Sequence, residues 1–321
     1  VTYDILAWSH VSPVLALSSI TAEVPKHRSR LIRLSNFSIN FYKFSQYLIF
    51  DLSQVTHLSW AYTAEIVVAA WSDGKIILCT PTGDGADIDT FGQISCLTWS
   101  RDDRLLLCID MKGESRIYTR ERKKWIRKAS TRIDEGANCC LGLLLPDNRD
   151  SDTPVFVVGG AKSKIYFIDS TAALHRVFDA EAPIVRLYEF KEREALVSLS
   201  GDNALRILTI TGKQQATETK KVKITGKIEN ILLDLCEGQL FICNGEKEIR
   251  IWNLRTDENS SLPMNSAGFK QGDVPCAISA RPGMIVVGCR DGRMATWRKR
   301  KQADGSHEWM MQNSDATSAR V

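Results

Sequence analysis

The amino-acid sequence predicts an all-β fold, a seven-bladed β-propeller with four antiparallel strands in each blade. Three observations predict it: short apolar runs at a regular spacing, a turn and a second strand after each run, and the lack of any long helical periodicity. The runs start at Val14, Ile66, Leu105, Val155, Ala195, Leu240 and Met284. Successive starts are 52, 39, 50, 40, 45 and 44 residues apart. Each run is too short for a helix and apolar on both faces, which suits a strand packed between two layers. A blade occupies roughly 40 to 45 residues, so seven of them fit a chain of 321.

The strand after each run alternates more strongly, at 75–78, 116–118, 164–167, 205–208, 248–252 and 293–297. Two of the intervening turns are Asp-Gly, at Asp73-Gly74 and Asp291-Gly292. That pair suits a two-residue hairpin turn, in which both central residues need positive φ. Other turns carry Gly, Asn or Lys and read as slightly longer. A third strand precedes most runs, at 5–8, 56–60, 94–99, 138–141, 185–188, 230–233 and 276–279. A fourth, more polar strand falls between repeats, as at 124–127 and 219–223. Trp60, Trp99, Trp252 and Trp297 close strands of this pattern and read as blade anchors. The first blade is the least regular, with strand-like stretches at 31–34 and 46–50. The last strand is expected at 307–312, which makes 1–312 one propeller and 313–321 a tail or linker.

Charge and cysteine usage bound the function. Lys and Arg number 42 against 38 Asp and Glu, a net charge of +4, which argues against a dedicated DNA-coating protein. The 44% apolar content and 8% aromatic content are those of a soluble globular chain. No apolar stretch approaches the roughly 18 residues of a spanning helix. The nine cysteines sit mostly inside apolar runs and never as C-x-x-C, so they read as reduced thiols acting as small hydrophobes. Cys139 and Cys140 should point to opposite faces of a strand, which disfavours a metal site there. The chain starts at Val1 without a charged-then-apolar leader and reads as a cytosolic piece of a longer polypeptide.

Catalytic motifs do not surface: no H-E-x-x-H, no G-x-S-x-G and no phosphate-binding loop. The five histidines are isolated, and His57 reads as a strand or channel-lining residue. No catalytic residue, cofactor or metal is therefore expected. Basic clusters remain. One holds Arg116, Arg120, Arg122, Lys123, Lys124, Arg127 and Lys128 with Tyr118 and Trp125 interleaved; a second holds Arg298, Lys299, Arg300 and Lys301; a third holds Lys220, Lys221, Lys223 and Lys227. Solvated outer-strand turns explain such charge without any partner. An acidic protein or an anionic lipid would equally use it, and nucleic acid would add base stacking on the aromatics. The first two clusters fall on turns between third and fourth strands. Arg120, Arg122, Lys123, Lys124, Trp125, Arg298, Lys299 and Arg300 are thus the candidate partner-binding residues. The opposite blade ends, with Asp73, Lys112, Asp202 and Asp291, form the other surface on which propellers bind peptides.

The stretches Trp71–Ile76 (WSDGKI), 249–253 (IRIWN) and 290–298 (RDGRMATWR) resemble WD40 repeats. In that family a turn Asp, a Trp and a His lock each blade through buried hydrogen bonds. Here the closing Trp-Asp is replaced by Cys79-Thr80, Tyr118-Thr119, Ile168-Asp169, Leu208-Thr209, Trp252-Asn253 and Trp297-Arg298, and the opening Gly-His is missing. The repeats are degenerate, so apolar packing between blades has to replace the lock. Residues 193–197, 225–227, 268–272 and 284–299 further resemble the amino-terminal propellers of intraflagellar transport complex A subunits. That resemblance implies a non-catalytic scaffold for retrograde ciliary transport and for entry of membrane-protein cargo. It implies other complex A subunits, tubby-like adaptors and ciliary cargo as partners, and the cytoplasm and cilium (axoneme, basal body) as location. The alternatives are a WD40-like module of another trafficking coat, or an RNA- or phosphoinositide-binding propeller using segment 116–128.

Overall fold

A computed structural model gives the structure of the chain. It describes residues 5–8, 14–18, 30–35 and 38–43 as strands, and then 55–79, 85–121, 124–143, 154–190, 193–212, 215–228, 231–244, 248–264, 275–289, 294–301 and 307–312.

Among the described residues the strands form seven four-stranded antiparallel sheets, each in chain order. Sheet 1 comprises β1 (Ile5–Trp8), β2 (Val14–Ser18), β3 (Arg30–Ser35) and β4 (Ser38–Lys43). Sheet 2 comprises β5 (Val55–Trp60), β6 (Val67–Trp71), β7 (Lys75–Cys79) and β8 (Gly85–Thr90). Sheet 3 comprises β9 (Ile94–Trp99), β10 (Leu105–Asp110), β11 (Glu114–Glu121) and β12 (Lys124–Arg132). Sheet 4 comprises β13 (Ala137–Gly142), β14 (Pro154–Gly160), β15 (Lys164–Asp169) and β16 (Leu174–Asp179). Sheet 5 comprises β17 (Ile184–Phe190), β18 (Ala195–Ser200), β19 (Ala204–Gly212) and β20 (Gln215–Lys223). Sheet 6 comprises β21 (Leu232–Cys236), β22 (Gln239–Cys243), β23 (Glu248–Asn253) and β24 (Asn259–Pro263). Sheet 7 comprises β25 (Pro275–Arg281), β26 (Met284–Cys289), β27 (Met294–Lys301) and β28 (His307–Gln312). By contacts the chain divides into two compact units, Val1–Ser200 with Ile207–Lys220, and Gly201–Arg206 with Lys221–Val321.

Packing within each unit explains the apolar runs. In β10 every residue is buried, and neighbours along the strand serve different clusters. Leu106 and Cys108 pack with Val68 and Ile76 of sheet 2, whereas Leu107 and Ile109 pack with Phe156 and Val158 of sheet 4. Val157, one residue from Val158, turns the other way and meets Leu187 and Leu196 of sheet 5. A strand buried on both faces needs no polar alternation. In the second unit, Phe241 and Ile251 of sheet 6 share a cluster with Ile285 and Trp297 of sheet 7. The vicinal thiols follow the same rule: Cys140 packs on the cluster between sheets 3 and 4, and Cys139 on the one between sheets 4 and 5.

The turn geometry differs from the sequence expectation. Between β6 and β7 the loop has three residues, Ser72, Asp73 and Gly74, and only Gly74 has positive φ, at 88°. The Gly74 N–H donates to the Trp71 carbonyl at 3.0 Å, and the Lys75 N–H donates to Asp73 Oδ1 at 3.0 Å. A type I turn closed by a left-handed residue is the usual three-residue hairpin, so Asp73 acts as a side-chain acceptor and needs no positive φ. Phe91, just past β8, donates to the Gly74 carbonyl at 3.2 Å, and that approach leaves no room for a Cβ at position 74. Asp291 and Gly292 lie outside the described residues, as does the strand-like stretch 46–50. The strand expected at 230–233 starts later, as β21.

Candidate interaction surface

The β11–β12 hairpin gathers part of the first basic cluster. β10 pairs with β11 only as far as Leu105 opposite Thr119, whereas β11 and β12 continue to Arg120 opposite Trp125 and Glu121 opposite Lys124. The hairpin therefore outreaches β10 as a two-stranded ribbon. Arg120, Lys124, Arg127, Lys128 and Arg132 are exposed on it. Arg122 and Lys123 lie outside the described residues.

Two members of the sequence-defined cluster are committed elsewhere. Arg116 is mostly buried and holds Asp89 of β8 at 3.0 Å and Glu114 at 2.7 Å, with its guanidinium 4.1 Å over the Phe91 ring. It is a neutralised structural cation and drops out of the surface cluster. Trp125 is half-buried, its ring edge-on to Trp99 at 5.3 Å between centroids. That packing occupies the aromatic which a stacked nucleic acid would need.

Arg116 belongs to a polar tie between sheets 2 and 3. Tyr118 Oη, at one of the degenerate Trp-Asp positions, donates to Asp89 Oδ2 at 2.7 Å. Burial alone would raise the Asp89 carboxyl, but bonds from Tyr118, the Thr90 N–H and Arg116 outweigh it and hold the group below its ordinary 3.8. Burial and the bond to Asp89 raise the Tyr118 phenol. A carboxyl depressed in the fold contributes stability in full above its unfolded value and loses it as pH falls from there through its folded one. Asp89→Asn should accordingly cost about 1 kcal/mol near neutrality, since the site is part-exposed. Urea titrations should find that deficit shrinking below pH 3.8, where the wild-type carboxyl itself takes up a proton. A deficit equal at every pH would remove Asp89 ionisation from the account.

A second tie was not anticipated from sequence. Arg101, in the β9–β10 turn, donates to the Gly142 carbonyl at 3.0 Å and to Glu189 Oε2 at 2.5 Å, and its guanidinium lies 4.1 Å over the Tyr62 ring. One side chain thereby touches sheets 4 and 5 and the turn after β5. In the same turn Asp103, at φ 58°, accepts the N–H groups of Tyr62 and Thr63 at 2.6 Å and of Ala64 at 3.0 Å. These contacts and the ribbon share one end of sheet 3, because first–second and third–fourth turns of an antiparallel meander fall together.

The anchors are interior. Trp60, Trp99, Trp252 and Trp297 are all buried. Trp99 Nε1 donates to the Ser59 carbonyl at 3.1 Å, and Trp252 Nε1 to Asp257 Oδ1 at 2.9 Å. His57, on β5, is half-buried, with Nδ1 3.0 Å from Thr56 Oγ1, and burial lowers its pKa despite a backbone bond at Ser95. In the second unit Arg298 and Arg300 are exposed on β27, opposite Met310 and Glu308 of β28, while Lys299 Nζ sits 6.0 Å from the Trp309 ring centroid. Arg206, in a strand that the sequence reads as alternating, is buried and paired with Asp202 at 3.3 Å. Among the described residues no helix is long and apolar enough to cross a membrane.

Comparison with known families decides the relationship. The model of the IFT140 first beta-propeller family matches residues 144–321, more than half of the chain. The chain belongs to that family. The fold agrees with two solved WD40 structures. The C-terminal WD40 domain of Sif2 superposes with a TM-score of 0.67 at 16% identity, covering 93% of this chain and 82% of that one. Sqt1 of Saccharomyces cerevisiae superposes with a TM-score of 0.68 at 11% identity, covering 96% and 84%. The architecture is a WD40-like propeller of four-stranded antiparallel sheets. Within the IFT140 family this region is the first propeller, and the β11–β12 ribbon precedes the matched stretch.

Proposed function

We propose that this chain is a non-catalytic interaction scaffold, the amino-terminal propeller of an intraflagellar transport complex A subunit, acting in retrograde ciliary transport and in ciliary entry of membrane-protein cargo. The observation that carries the reading is the IFT140 first-propeller match over 144–321 on a WD40-like fold. In this reading residues 1–312 close as one seven-bladed ring and 313–321 lead away from it as a tail. Its partners are other complex A subunits, with tubby-like adaptors and cargo tails as further ligands, in the cytoplasm and at the axoneme and basal body. Arg298, Lys299 and Arg300 belong to its contact surface. A rigid scaffold loses little ordering entropy when it binds, which suits a platform for several partners.

The test is affinity capture with the tagged chain from a lysate of ciliated cells, washed at low and at high salt and read by mass spectrometry. Complex A subunits retained at high salt are the expected result. Retention of RNA or anionic lipid alone, lost at high salt, would replace the scaffold by a polyanion-binding module, because phosphate contacts weaken steeply with salt.

A further inference from the structure

The β11–β12 ribbon carries charge that the fold does not use. Among the described residues, Arg120, Lys124, Arg127, Lys128 and Arg132 have no carboxylate within salt-bridge distance, while Arg116 and Arg101 nearby are closed by Asp89, Glu114 and Glu189. The sequence places Arg122 and Lys123 in the connection as well, against Glu121 alone. β12 is also the last strand of its sheet, with one edge laddered to β11 and the other free of strand partners among the described residues. From Lys124 to Arg127 its register with β11 is unbroken. The register then slips at Lys128, the extra residue of a bulge. In the middle of the regular stretch Ile126 is 38% exposed, one of four large apolar side chains exposed among the described residues.

Cations and a bulge are how edge strands resist pairing with neutral or like-charged strands. The same cations favour one class of strand, an acidic one. We propose that the free edge of β12, from Lys124 to Arg127, binds an acidic polypeptide segment in extended conformation as an added strand. Backbone pairing supplies the affinity common to such additions, and alternate side chains supply the selectivity. On one face Lys124 calls for a carboxylate and Ile126 for an aliphatic side chain; on the other Arg127 calls for a carboxylate. The preferred occupant is a short segment with Asp or Glu at two positions three apart and Val, Ile or Leu between them. Nucleic acid fits less well, because Trp125 is already packed on Trp99. A headgroup layer would meet the charge but has no use for the edge.

This site deepens the scaffold reading, and its failure is separable from failure of that reading, since peptide binding is read on the purified chain and subunit capture is read from lysate. The probe is a fluorescein-labelled peptide of about ten residues built around a Glu-Val-Val-Glu core, titrated by fluorescence anisotropy beside the same peptide N-methylated at every core residue. N-methylation of the core removes backbone donors along both edges and keeps every charge. The expected result is binding of the unmethylated peptide, about tenfold weaker binding of the methylated one, and a similar loss in the Lys124→Glu/Arg127→Glu variant. An unchanged melting temperature would accompany that loss, because both side chains are exposed. Equal binding of the two peptides to the wild-type chain would overturn the added strand and leave charge alone. Capture of the chain by phosphatidylserine vesicles or by oligouridine, with neither peptide bound, would overturn the acidic-peptide assignment. The peptide comparison needs no variant, so a misfolded mutant cannot obscure it.

Discussion

Arg101→Ala should destabilise the protein by about 3 kcal/mol, the lower end of the range for breaking a buried ion pair, because Arg101 keeps some exposure. Its partner Glu189 is only 4% exposed. Truncation removes from that carboxylate its guanidinium, and from the Gly142 carbonyl a donor. It also strips the cation from the Tyr62 ring, a contact of roughly 1 kcal/mol. Chemical denaturation of the two proteins measures the loss. Arg101→Ala combined with Glu189→Gln should recover part of it, since the second change removes the buried charge that the first leaves behind. A single variant as stable as wild type would mean that Arg101 ties nothing together.

The second large effect is Trp297→Ala, expected to cost about 3 to 5 kcal/mol. Trp297 is 2% exposed and lies in the ladder between Ile285 and Met311, inside the cluster formed with Phe241 and Ile251. Its removal leaves a cavity that these β-strand neighbours cannot close without breaking register. Met310→Ala provides the control, because Met310 is 42% exposed one residue from Met311 and should change stability by less than about 0.5 kcal/mol. Equal and small effects from both would place the indole outside the core.

Much of this fold was readable because sandwiched sheets write themselves as continuous apolar runs. Leu105–Asp110 and Ala195–Ser200 are buried at every position, and both stand out in the sequence without any alignment. The ties between sheets were not readable, since their partners are distant. Arg101 reaches Gly142 and Glu189 across 41 and 88 residues, and Arg116 reaches Asp89 across 27. A run of Lys and Arg looks the same whether a cation faces solvent or a carboxylate from the previous sheet, which is why Arg116 reads as one with Arg120 and Lys124. Trp125 reads as an available aromatic because Trp99 is 26 residues away (125 − 99) and comes beside it only through the pairing of β9 to β12. The missing Trp-Asp and Gly-His pairs do not leave the blades without polar locks. Tyr118 with Asp89, and Trp252 with Asp257, tie the chain by other residues.

The alternation inside β10 has a consequence for how such a chain can change over generations. Leu106 and Cys108 belong to one neighbouring sheet, Leu107 and Ile109 to the other. A single residue gained or lost within that strand would exchange the two sets and mispair both interfaces at once. Substitutions that keep volume can accumulate there, but insertions cannot. Length must therefore vary in turns and connections, and the steps between runs, from 39 to 52 residues, are the trace of that freedom. Loops are the part of each repeat in which a blade can gain residues without mispairing its neighbours.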